Sequence, residues 1–170
     1  MLRSLRGACE GPSLLHAAFT QARAVTPVTL VPARWSDYEV VAALLEREHL
    51  PLDGLRQHFE NAIVARAGNR IVGCSALEVY EGGALLRSVA VDAECRGAGV
   101  GSDLTRAAIQ LATRRMVPAM YLLTTTAEQF FRKFNFEIVD RADVPPSVTA
   151  SEEFAHACPS TVIVMRRYIS

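Results

Sequence analysis

Val89-Ala90-Val91-Asp92-Ala93-Glu94-Cys95-Arg96-Gly97-Ala98-Gly99-Val100-Gly101-Ser102 reads as a buried strand that runs through glycines into a helix. Glycines at 97, 99 and 101 let the main chain approach a ligand closely. The N–H groups of a first helical turn lack partners within the helix, and the positive end of the helix dipole stands behind them. Such a turn holds phosphate. The anion expected here is a pyrophosphate, with Arg96 adding a fixed positive charge at the mouth. Spacing excludes two common phosphate loops. A dinucleotide fingerprint needs G-x-G-x-x-G and an acid about 20 residues on, whereas this run is G-x-G-x-G without that acid. A Walker loop needs Lys-Ser/Thr after its last glycine, and Gly101 is followed by Ser102-Asp103.

Upstream, Val28 to Val31 predicts a first strand, and Val40, Val41, Leu44 and Leu45 recur at helical spacing behind a cap at Ser36 or Asp37, with Pro51 as the stop. A short helix is expected from Leu52 to Phe59. Asn61 to Ala67 and Arg70 to Tyr80 form an antiparallel pair around Gly68-Asn69, and Gly82-Gly83 turns into a strand from Ala84 to Val91. Downstream, Leu104, Ala107, Ala108 and Leu111 lie on one face of a helix that ends at Arg114-Arg115. Then come a buried strand, Ala119 to Thr124, and a helix, Ala127 to Asn135, with Phe130, Phe131 and Phe134 turned inward. A strand from Phe136 to Asp140, a loop with a helical turn from Pro145 to Ala157 and a last strand from Ser160 to Tyr168 complete the order.

The chain has 170 residues, half of them apolar, enough for one packed core. The domain is expected over 27–170, with 1–26 as an extension in which Arg3, Arg6 and Arg23 only faintly suggest a transit peptide. Lys+Arg and Asp+Glu are equal at 18 each, so no net charge draws the chain to nucleic acid or to an anionic membrane. No apolar run approaches the ~20 residues of a membrane span. Four cysteines, Cys9, Cys74, Cys95 and Cys158, show neither a zinc spacing nor a disulfide framework, and a reducing cytoplasm is the expected compartment. His16, His49, His58 and His156 have no metal-ligand partners at useful spacing, so no metal is expected.

Arg96, Gly99 and Gly101 match the signature Q/R-x-x-G-x-G/A, and the chain from about Val28 to Tyr168 resembles the GNAT superfamily of N-acetyltransferases. The resemblance implies an α/β GNAT fold, a mixed and mostly antiparallel sheet splayed between its fourth and fifth strands with helices on both faces. It implies acetyl-CoA as co-substrate, its pyrophosphate on the backbone of Arg96, Gly97, Ala98, Gly99, Val100, Gly101 and Ser102 and its pantetheine arm along Val89, Ala90 and Val91. Thr126 and Phe131 fall on the same cofactor side. Leu85 to Val91, Leu123 to Glu128, Phe130-Phe131 and Phe154 through Ser160 are similar to the small acetyltransferases encoded with arsenic-resistance genes (ArsN type). The L-R-S and L-T-T elements are more distantly similar to the acetyltransferase domain of bacterial N-acetylglutamate synthase. Both resemblances imply a small-molecule amine acceptor that carries a carboxylate or similar anion.

Acetyl transfer to an amine needs a neutral nitrogen, an oriented thioester and donors for the oxyanion. Glu78, near the end of the strand before the pantetheine strand, is the candidate base; a solvated edge carboxylate is the alternative. Arg87 sits in an apolar run, where an unpaired cation is costly, so it must meet an anion. By the resemblance that anion is the acceptor's carboxylate, and otherwise an acid such as Glu78 or Asp140. Ser88, Thr124 and Thr125 are polar groups at strand ends able to bond the acceptor. Where many superfamily members carry Tyr-x-x-x-Gly-Phe, this chain has Phe131, Asn135 and Phe136, so the thiolate must leave unassisted or by way of water, Tyr80 or Tyr121. Leu85 likewise stands where many relatives place an acid. Cys95 beside Arg96 raises an acyl-cysteine route against a bystander thiol, and Cys158 a contact to a soft ligand such as arsenic against plain packing. The reading is direct transfer in a ternary complex to a small anionic amino acid or a toxic analogue, with homodimer assembly left open. Its rivals are a polyamine or protein-lysine acceptor, which Arg87 opposes by like charge, and a non-catalytic acyl-CoA sensor.

Overall fold

Gly68, at φ +60°, and Asn69 fold the chain back on itself, so that β2 (Ala62–Ala67) and β3 (Arg70–Tyr80) pair antiparallel. The computed structural model describes residues 27–156 and 161–170; the expected extension and Cys158 lie outside them. In chain order the other elements are β1 (Val28–Pro32), α1 (Tyr38–Arg47), β4 (Gly83–Val91), α2 (Val100–Arg114), β5 (Ala119–Thr124), α3 (Glu128–Arg132), β6 (Glu137–Ile138), α4 (Pro146–Thr149), α5 (Glu152–His156) and β7 (Ile163–Tyr168). The strands form one seven-stranded sheet in the order β1-β2-β3-β4-β5-β7-β6, as a mixed α/β architecture. Only β4 and β5 pair in parallel, and the rest are antiparallel.

Alternation along β2 sends neighbouring residues to opposite faces, and each face meets its own helices. Ala62 and Val64 pack with Val41, Leu44 and Leu45 of α1, whereas Ile63 and Ala65 pack with Val100 and Leu104 of α2. In the second half of the sheet, Leu86, Met120 and Leu122 meet Ala108 and Ala112 of α2 and the phenylalanines at 131, 134 and 136. Leu85 and Tyr121 on the reverse face meet Val148 of α4 and Phe154 of α5. Helices therefore cover both faces, as expected.

Several local readings are corrected. Val40 is half exposed, because α1 turns Val41, Ala42, Leu44 and Leu45 to the sheet. Asp37 stands at the N-cap of α1 as expected, but its carboxylate bonds no N–H of that helix; it accepts the Arg34 N–H at 2.9 Å and an Arg66 N–H at 2.6 Å, tying the 35–37 turn to β2. The helix expected at 52–59 is a 3-10 turn at Arg56–Asn61, anchored by Leu55 and Phe59 in the core. The strand expected from Phe136 shrinks to two edge residues, since Phe136 itself is buried against Phe131. The loop at 145–157 holds two helices, nucleated by Pro146 in the first turn of α4 and by buried Phe154 in α5.

Candidate functional site

β4 and β5 are bonded only from Ala84–Leu86 to Met120–Leu122, and beyond that point they part. The gap opens into a cavity of about 940 Å³. One cause lies in β4 itself. Between Cys74 and Ala76 of β3 the register slips, so Ser75 alone stands opposite Ser88 and Val89, and Ser88 takes φ +56°. Such a bulge costs a non-glycine residue about 1–3 kcal/mol and frees backbone groups from the ladder at the place where the sheet opens.

The glycine-rich turn closes one end of the cavity. Gly97 and Gly99 hold φ +79° and +86°, a left-handed region that side chains disfavour, and Gly99 is the N-cap of α2. The first α-helical bond of this end runs from the Asp103 N–H to Gly99 O at 3.0 Å, so the preceding N–H groups face the cavity end of a fifteen-residue helix. Arg96 Nε donates to Val91 O at 3.1 Å, and its Nη2 is ion-paired with Glu48. Asp92 fixes the approach by accepting the Glu94 N–H at 3.1 Å and an Arg70 N–H at 2.7 Å. Those bonds hold its carboxyl below the ordinary aspartate range.

The other end is ionic. Arg87 Nη1 donates to Glu78 Oε1 and to Asp53 O, Nη2 donates to Pro51 O at 3.0 Å, and Nε donates to Ser88 Oγ at 3.2 Å. Glu153 Oε2 lies 3.3 Å from that same Nε. Glu78 also accepts the Tyr80 hydroxyl and is 1% exposed. Burial, and then the neighbouring Glu78 charge, raise the Tyr80 hydroxyl above the ordinary tyrosine range. Burial similarly pushes Glu153 up to about 7, Arg87 pulling the other way while Glu78 and Asp53 add to the rise.

Residues 58–138 match the family model described as Acetyltransferase (GNAT) domain. The fold and the N-acetyltransferase class read from the sequence stand with that match. The same fold recurs in N-acetylglutamate synthase from Neisseria gonorrhoeae complexed with coenzyme A and N-acetyl-glutamate, at TM-score 0.72 and 20% identity over 84% of this chain. This chain spans 35% of that protein. Rv2747 from Mycobacterium tuberculosis, in complex with CoA, matches at 0.69 and 21% over 84% of this chain and 99% of its own. The ribosomal-protein-S18-alanine N-acetyltransferase from Escherichia coli matches at 0.65 and 16% over 85% and 95%. No curated protein matches the chain significantly.

The expected cofactor residues Val89 to Val91, Arg96, Gly97, Gly99 to Ser102, Thr126 and Phe131 all line the cavity; Ala98 alone does not. Ser88, Thr124 and Thr125 line it too. Glu78, the expected base, does not; its oxygens are engaged by the Arg87 guanidinium and the Tyr80 hydroxyl. Arg87 belongs to the cavity wall, but its side chain is 0% exposed. Its guanidinium is held in a buried ion pair with Glu78. Tyr80 and Tyr121 lie outside the lining, and among the described residues no tyrosine borders the cavity. Cys95 borders it, and no group of three metal-ligating side chains occurs among the described residues. No described helix is long and apolar enough to cross a membrane.

Glu153 was missed. The sequence offered only Glu152-Glu153 ahead of Phe154 inside a loop, a pattern with no fixed spacing to the glycine turn. The backbone carbonyls of Pro51 and Asp53, which complete the Arg87 site, left no side-chain signal at all.

Proposed function

We propose that the chain is an acetyl-CoA-dependent N-acetyltransferase that acts on the amine of a small amino acid, or a toxic amino-acid analogue, by direct transfer in a ternary complex. The observation that carries it is the cavity between the parted strands β4 and β5, with an anion-binding turn at one end and a buried carboxyl at the other. The N–H groups at the start of α2 would hold the pyrophosphate, and the β4 edge past Leu86 the pantetheine arm. The bulge at Ser88 offers backbone groups beside the reacting thioester. Acetyl-CoA supplies an activated acyl group whose carbonyl carbon the amine attacks.

An amino-acid acceptor is supported by the likeness to ArsN-type acetyltransferases and by the similar N-acetylglutamate synthase fold crystallised with coenzyme A and N-acetyl-glutamate. Ser88, Thr124 and Thr125 are the cavity hydroxyls available to its carboxylate. Phe131 is buried and offers no proton, so the thiolate takes its proton from the attacking amine or from water. The test is free-thiol release from acetyl-CoA across glutamate and other amino acids, phosphinic and arsonic analogues, polyamines and a lysine peptide. Turnover confined to amino acids and their analogues is expected. Turnover confined to polyamines or the peptide refutes the acceptor, and binding of acetyl-CoA without turnover on any amine refutes the enzyme reading.

A further inference from the structure

A carboxylate removed from water is costly unless its oxygens are bonded. Glu153 is short of partners: its side chain is 13% exposed, and Oε2 lies 3.3 Å from Arg87 Nε. That oxygen is buried and accepts no hydrogen bond. The residue borders the cavity because α5 is pinned by the buried ring of Phe154 next to it. Through Arg87 Nε, bonded to Ser88 Oγ at 3.2 Å, it stands beside the bulge at which β4 leaves β5. An acyl chain laid from the glycine turn along β4, as in the proposed cofactor site, would reach that bulge.

The remaining ionisable groups of the cavity are paired or exposed. Glu48 pairs with Arg96 at the pyrophosphate end, Asp53 is exposed, and His49 and His156 are exposed. Facing Glu153 itself are Arg87 of β4, Glu78 of β3 behind the guanidinium and Asp53 of the preceding loop, with Glu152 and His156 on its own helix. Burial and the two acids together raise its carboxyl to about 7, so that it exchanges a proton near neutral pH.

Resting on the acetyl-transfer reading above, we propose that Glu153 is the general base that deprotonates the acceptor ammonium and that Arg87 is its positioning residue. The ammonium gives one proton to the Glu153 carboxylate, leaving a neutral amine and a carboxylic acid. The nitrogen lone pair attacks the thioester carbonyl carbon, so that the C–N bond forms as the C–S bond breaks. The second proton of that nitrogen passes to the departing thiolate, giving the amide and free CoA thiol. Glu153 then returns its proton to water at the cavity mouth.

The test compares full-length wild type, Glu153→Gln and, as the control, the exposed neighbour Glu152→Gln. Thiol release with the accepted amine is followed from pH 5 to 9, together with acetyl-CoA binding and a carbon-13 carboxyl titration without acceptor. Expected are a wild-type acid limb with a midpoint near 7, matching a carboxyl resonance that Glu153→Gln lacks. A fall in kcat of about 10²-fold or more in Glu153→Gln, with the limb gone and acetyl-CoA affinity unchanged, supports the base. Glu152→Gln should keep rate and limb. A limb that persists in Glu153→Gln with kcat within threefold overturns the assignment and moves it to His49 or His156, while acetyl transfer itself stands. A folded wild type that binds acetyl-CoA and acetylates no amine overturns the reading beneath it as well.

Discussion

Replacing Arg87 with Met would remove one cation that joins β4, β3 and the 51–53 segment. The loss leaves Glu78 buried without its counter-ion and strips the carbonyls of Pro51 and Asp53 of their donors. Breaking a buried pair at one partner costs about 3–5 kcal/mol, because the surviving charge stays desolvated. The Met side chain fills much of the volume, so packing adds little, and that range is the expected loss in urea unfolding free energy. Replacing Glu78 with Gln in the same chain removes the orphaned charge and should recover at least about 1.5 kcal/mol of it. Arg87 also holds the Glu153 carboxyl down, so any activity left in Arg87→Met should show its acid limb moved above 7. A loss below about 1 kcal/mol, with the double variant no better than the single one, would refute the buried-pair account.

Three further outcomes follow from single positions. A methyl group on Gly73 would stand 2.9 Å from Ala90 O and 3.0 Å from Leu104 Cδ1, so Gly73→Ala should cost about 1–3 kcal/mol in thermal unfolding, and an unchanged midpoint would contradict that close approach. At Gly99 an added Cβ meets nothing within 4 Å, but the φ of +86° costs an L-residue about 1–2 kcal/mol; a free turn that relaxes to relieve this strain must pay it back on binding, so Gly99→Ala should raise the acetyl-CoA dissociation constant about 5- to 30-fold in calorimetry. Asp92 is held below its ordinary range by Arg70 and the Glu94 N–H; its stabilisation is therefore present above about pH 4 and lost as pH falls through the lowered value. Asp92→Asn should unfold more easily than wild type at pH 7, and the two should converge in acid; parallel curves down to pH 2 would argue against the linkage.

Elements with a strong local cause were legible in the sequence. Gly68-Asn69 set a hairpin, the period of Leu104, Ala107, Ala108 and Leu111 set α2, and the glycines of 97–101 set the turn, each by short-range chemistry. Glu78, Arg87 and Glu153 were not separable in that way. All are charges near apolar runs, and which one reaches the cavity depends on the alternation of β3 and β4 and on how Phe154 docks α5 against the far face of the sheet. The same holds for Ser88, whose positive φ comes from the register slip opposite Ser75 and not from its own side chain. Long-range placement therefore decided which charged groups reach the cavity, while the turn at 97–101 declared itself through glycine.

The account stands on the transfer of an acetyl group from CoA held at the 96–102 turn to an amine in the cavity. Incubation of the chain with trideuteroacetyl-CoA and an equimolar mixture of amino acids, read by mass spectrometry, tests that transfer directly. The account predicts a trideuteroacetyl group on the α-nitrogen of one or a few amino acids, formed more slowly by Gly99→Ala at limiting acetyl-CoA. Acetyl-CoA that binds and returns unreacted, or whose label appears only as acetate or on the protein's own cysteines, would contradict it.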